Sequence, residues 1–266
     1  MCSLSQLRAL KKFVVGHPDL LPDVVMEICG VNPCLEVLGM YNEQVNPALE
    51  EMKPLAHLKE LIIASVDDLC ALPPFLRGCP NLVRVDVECS ATEDTTLSLL
   101  GALQDLPNIE HLRLALGTVT ADVVAGSLSG IDKLRSLSIQ HGLRGIAVEV
   151  LRRLVTLEFI AAEDEEWDVL RQAQSLRSLS VVFPATAGLG DSDSYLALLQ
   201  VICRMPRLVR VDLDHSTLNP DVPDDFDFER LVSSLPAPEQ HHCRLCWRET
   251  RSPHTLERRQ RSLPLI

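Results

Sequence analysis

The sequence predicts an α/β fold of the solenoid type: a parallel sheet of about nine short strands on the concave side of a horseshoe, with helices on the convex side. Three observations lead there. An apolar residue followed by x-x-Leu-x-x-Leu-x-Leu returns along nearly the whole chain, most clearly at Cys79-Pro80-Asn81-Leu82-Val83-Arg84-Val85-Asp86-Val87. Second anchors of successive copies are 20 to 32 residues apart, close to the period of a strand-plus-helix repeat. Leucine fills 46 of 266 positions while aromatic residues make up 4%, which suits a core of stacked aliphatic rungs rather than one built around a few large rings.

The anchors define the units in order. They are Leu7-Leu10-Phe13-Val15, Asn32-Leu35-Leu38-Met40, Leu55-Leu58-Leu61-Ile63, Cys79-Leu82-Val85-Val87 and Leu106-Ile109-Leu112-Leu114, followed by Ile131-Leu134-Leu137-Ile139, Leu151-Leu154-Leu157-Phe159, Ala173-Leu176-Leu179-Val181 and Met205-Leu208-Val211-Leu213. Within each, the last three anchors alternate with outward residues at period two, the signature of a half-buried strand. A stretch with apolar residues three apart precedes most frames and reads as the helix, as in Leu97-Leu100-Leu103, Trp167-Leu170-Ala173 and Leu196-Leu199-Ile202. Proline then stops the helix and holds its predecessor extended at Cys79-Pro80, Leu106-Pro107 and Met205-Pro206. Pro22 is expected to open the helix of the second unit. Because each unit packs on its neighbours, residues 1–236 count as one array. Residues 237–266 contain no anchor frame; with six Arg against three acidic residues they carry +3 against −15 for the rest, and they are expected to form a disordered basic tail.

The formal charge of −12 argues against nucleic acid, whose phosphates need clustered Lys and Arg. No apolar run of about 18 residues is present to span a membrane, and the first 25 residues lack the order of a signal peptide. A cytoplasmic or nuclear protein is expected. Nine scattered cysteines suit reduced, mostly buried fillers rather than a disulfide framework.

The stretch Gly78-Cys79-Pro80-Asn81-Leu82-Val83-Arg84-Val85-Asp86-Val87-Glu88-Cys89, continuing through Ser90 to Leu100, resembles the cysteine-containing leucine-rich repeat of F-box proteins, with Cys79 and Cys89 on its two cysteine positions. The other units are similar to the divergent repeats of fungal-type F-box proteins. They lack the asparagine that many leucine-rich repeats carry after the strand; Glu43, Val66, Ser90, Gly117, Gly142 and Ser216 stand there. The resemblance implies the substrate-recognition arm of a cullin-type ubiquitin ligase. An F-box should precede the repeats, yet the first anchor is already Leu7, so contact with the ligase adaptor is expected to fall to a missing or separate segment.

In such an array, function belongs to the outward strand positions. Their middle row reads Val14, Gly39, Ile62, Asp86, Arg113, Ser138, Glu158, Ser180 and Asp212, apolar at its start and polar from the fourth unit. With the flanking positions, the candidate partner-binding residues are Arg84, Asp86, Glu88, His111, Arg113, Ser138, Gln140, Glu158, Ser180, Arg210, Asp212 and Asp214. Nine strands of about 17 Å offer roughly 600 to 700 Å², near the ~800 Å² per partner of a standard interface. Acidic runs at Glu163–Glu166 and Asp221–Glu229 cap helices or attract a basic partner.

No catalytic motif is legible. Gly188-Leu189-Gly190 lacks the lysine of a phosphate loop, there is no Gly-x-Ser-x-Gly elbow or His-Glu-x-x-His helix, and Cys243-x-x-Cys246 has no second pair for zinc. The expectation is a non-catalytic protein-interaction module without cofactor or metal, either F-box-type substrate-receptor repeats or a free-standing scaffold or inhibitor.

Overall fold

The computed structural model describes residues 7, 9–16, 22–41, 45–66, 69–90, 92–117, 121–161, 167–183, 192–214, 243–248 and 260–265. The chain divides into two units, residues 1–134 and 135–266. Both are α/β and built from the same alternation of strand and helix.

In the first unit the order is β1 (Lys12–Val15), α1 (Pro22–Val31), β2 (Val37–Met40), α2 (Val45–Glu51), β3 (Glu60–Val66), α3 (Leu72–Arg77), β4 (Arg84–Cys89), α4 (Glu93–Gln104), β5 (His111–Leu116) and α5 (Ala121–Leu128). Strands β1 to β5 pair in chain order, all parallel. Only a crossover of helical length permits this, because parallel neighbours cannot be joined by a hairpin. The second unit holds β6 (Ser136–Ile139), α6 (Val148–Arg153), β7 (Thr156–Ile160), a 3₁₀ helix at Trp167–Gln172, β8 (Ser178–Val182), α7 (Ser192–Ile202) and β9 (Arg210–Asp214). Here β6 to β9 are again parallel and in order.

Each of β1 to β9 lies where the anchor frame places it. Leu61, Ile63, Val85, Val87, Leu112 and Leu114 in the first unit are buried, and so are Leu137, Ile139, Leu157, Phe159, Leu179, Val181, Val211 and Leu213 in the second. One residue of opposite facing separates each pair, so the period-two reading fixes which side of the chain faces the core. The helices supply the rest of that core. As expected, α1 begins at Pro22 and buries Val25, Ile28 and Cys29.

Helix α4 departs from the expected face. Leu97 is 48% exposed, and the buried stripe runs through Thr96, Leu99, Leu100 and Leu103, the spacing that puts residues on one face of a 3.6-residue helix. At its start Thr92 is extended at the N-cap and its side chain accepts a bond from Thr95 N, which fixes the first turn. The Trp167 segment winds as a 3₁₀ helix rather than an α-helix and still buries Trp167 and Leu170. Trp167 lies 6.3 Å from Phe159 and 6.4 Å from Phe183, ring centre to ring centre, with tilted planes. The second unit thus contains a three-ring cluster where only aliphatic rungs are expected, and such tilted pairs add to area burial.

Polar ladders tie neighbouring repeats at the strand entries. Asn32 takes the place of an apolar anchor and is 1% exposed. Its Oδ1 accepts from Leu10 N at 2.7 Å, and its Nδ2 donates to the carbonyls of Leu7 and Ile28, each at 2.8 Å, so burial leaves this amide with partners on both sides. Asn81 donates to Ala56 O at 2.7 Å and Asn108 to Pro80 O at 3.2 Å, each reaching back one repeat. At Gly78, which ends α3, a Cβ would lie 2.5 Å from the Pro54 ring, so only glycine fits the approach of these two turns.

The carboxyl-terminal segment is not wholly irregular. Where no frame and a disordered tail are expected, β10 (Cys243–Arg248) pairs parallel with β9, and β11 (Gln260–Leu265) pairs antiparallel with β10. An unpaired edge of β9 would leave a row of N–H and C=O groups without partners, and β10 supplies them. The acidic runs at 163–166 and 221–229, residues 184–191 and His215 lie outside the described residues.

Candidate interaction surface

The outward row forms in register within each unit. In the first, Val14 pairs with Gly39, Gly39 with Ile62, Ile62 with Asp86 and Asp86 with Arg113. In the second, Ser138 pairs with Glu158, Glu158 with Ser180 and Ser180 with Asp212. Adjacent strands sit about 4.8 Å apart, so these side chains stand side by side on one face.

The candidate residues of the first unit converge. Arg84 and His111 pair across β4 and β5 and both are exposed. Arg113 Nη1 donates to Asp86 Oδ1 at 3.1 Å, and its Nη2 lies 3.7 Å from Glu88 Oε2. Asp86 is only 7% exposed, unexpectedly deep for an outward carboxylate. The guanidinium accounts for that, since a carboxylate at this depth needs an opposite charge and a donor. Arg84 makes no side-chain bond among the described residues.

The second unit gathers a looser set. Glu158 is exposed between Ser138 and Ser180, which are half-buried. Arg210 Nε donates to Asp212 Oδ2 at 2.6 Å. The other oxygen, Asp212 Oδ1, is buried and accepts no hydrogen bond among the described residues. Asp214 is half-buried at the end of β9, beside Val182 of β8. Gln140 follows the end of β6 and is exposed, beyond the last registered pair, Ile139 with Phe159.

Two exposed side chains on this face are not among the charged and polar candidates. Tyr41 is 40% exposed just past β2, and Val14 is 45% exposed on β1. Both lean over Gly39: a Cβ there would meet Val14 Cγ1 at 3.1 Å and the Tyr41 ring at 3.5 Å. The signal was present in the chain, because a glycine flanked on the same face by a large side chain leaves room for that side chain to lie flat. Along the strand-entry rim, His57, Lys59, Asn81, Val83, Asn108 and Glu110 line a shallow groove of about 290 Å³. Next to it Glu36 receives Lys11 Nζ at 2.9 Å and Lys59 Nζ at 2.7 Å, and these bonds hold its carboxyl at about 2.

Among the described residues no group of three or more His, Cys, Asp and Glu is arranged to hold a metal ion, and no helix is long and apolar enough to cross a membrane. No protein-family model matches the chain, and no curated protein matches it.

Proposed function

We propose that the chain is a leucine-rich repeat solenoid whose outward strand faces capture another protein, as the substrate-recognition repeats of an F-box-type ubiquitin ligase receptor do. The in-register outward row carries this reading: within each unit it sets exposed charged and polar side chains on a rigid backbone whose opposite side is committed to the core. A face of this kind recognises by shape and charge and performs no chemistry, which is the basis for reading it as a binding module rather than an enzyme. The cysteine-containing repeat at Cys79 and Cys89, both buried, supports the F-box comparison.

The test is quantitative affinity purification from cells of the wild type, Arg84→Glu and Glu158→Arg, with co-purifying proteins identified by mass spectrometry. Both residues are exposed and without side-chain bonds among the described residues, so their replacement leaves the fold intact. A cullin and its adaptor retained by all three, together with a target lost from a variant, is the expected result. A specific partner without ligase components assigns the protein as a free-standing scaffold or inhibitor instead. Recovery of no specific partner refutes the binding reading.

A further inference from the structure

We infer that the outward face of the first unit takes a partner segment pairing an apolar side chain with a Lys or Arg about three residues away. The inference rests on the binding reading above and specifies its partner. Val14, Tyr41 and the half-buried Ile62 form an exposed apolar spot over Gly39. Two strand spacings on, about 10 Å away, Asp86 and Glu88 share the single guanidinium of Arg113. Asp86 takes the shorter bond, at 3.1 Å, which leaves Glu88 only a 3.7 Å contact with that guanidinium. Glu88 is the accessible member, with 46% of its side chain exposed and its distance to Arg113 long.

Charge on the wider unit points the same way. Residues 1–134 contain eighteen Asp and Glu against nine Lys and Arg, a formal −9 of the −12 carried by the whole chain. A basic segment is therefore steered toward this unit, and an acidic one is repelled. Arg113 does not reverse this, because its charge is already held by Asp86. In an extended peptide three residues span about 10 Å, which matches the distance from the apolar spot to the Glu88 carboxylate.

The experiment is selection of random 12-residue phage-displayed peptides on the full chain, followed by titration of a selected peptide against the wild type, Tyr41→Ser and Glu88→Lys. Peptides carrying Leu, Ile, Phe or Trp with Lys or Arg about three positions away are expected, each variant weakening binding about tenfold and added salt weakening it further. Thermal melts of the variants check that both fold, and Val14→Ser replaces Tyr41→Ser if the latter does not. Acidic peptides, or peptides that bind both variants as tightly as the wild type, overturn this assignment while leaving the binding reading in place. Recovery of no peptide overturns it as well, and the affinity purification then decides the broader reading independently.

Discussion

Glu36 shows how one side chain is set by its neighbours in space. Its carboxylate lies between the ammonium groups of Lys59 and Lys11, and their hydrogen bonds lower its pKa from 4.5 to about 2. Because the folded-state value is depressed, the stability it contributes is complete above the ordinary carboxylate range and is lost as pH falls through about 2. Carboxyl-resolved NMR should give a Glu36 midpoint near 2; a midpoint above 4 would mean that the bridges do not persist in solution. Cysteines divide by environment in the same manner. Burial pushes the Cys29 thiol from 9.0 up to about 12 and also raises Cys79, whereas Cys34 and Cys70 are exposed. Iodoacetamide at pH 8 should therefore modify Cys34 and Cys70 and spare Cys29, Cys79 and Cys89 until the protein unfolds, as peptide mapping would show. The sequence suggests mostly buried fillers; exposure of Cys34 and Cys70 depends on which repeat turn each occupies.

At the scale of the element, α4 separates pattern from packing. Leu97-Leu100-Leu103 satisfies a spacing of three, yet a helix turns 100° per residue and the buried stripe must also use steps of four. Thr96 and Leu99 occupy it, and Leu97 faces out. Leu97→Ser should change stability by less than about 0.5 kcal/mol, whereas Leu100→Ala should cost about 2 to 5 kcal/mol, both read from chemical denaturation. Equal costs would place the helix on the wrong face. The strands were legible almost to the residue because period two is unambiguous once one side is apolar. The 3₁₀ helix at Trp167–Gln172 was not, since its Trp167 ring packs against Phe159 of β7 and Phe183 just past β8.

For the whole molecule, the carboxyl-terminal strands carry the clearest prediction. Hydrogen exchange at Arg210–Asp214 should be faster in a chain ending at residue 236 than in the full chain, because β10 pairs directly with β9 from Arg244–Arg210 to Arg248–Asp214. Identical protection would show that this pairing adds nothing to β9. The candidate face was partly legible: Asp86, Arg113, Glu158, Ser180 and Asp212 stand on the row that the frame assigned to them. What they do to one another was not. Whether a strand residue points inward or outward follows from its place in the local chain, so the sequence alone determined strands β1 to β9, their facing and the α/β alternation. That Arg113 holds Asp86 across 27 residues, that Val14 and Tyr41 close over Gly39, and that β10 joins β9 were decided only by the tertiary structure. Those contacts depend on distances through space between strands, which lateral packing sets and no local period encodes.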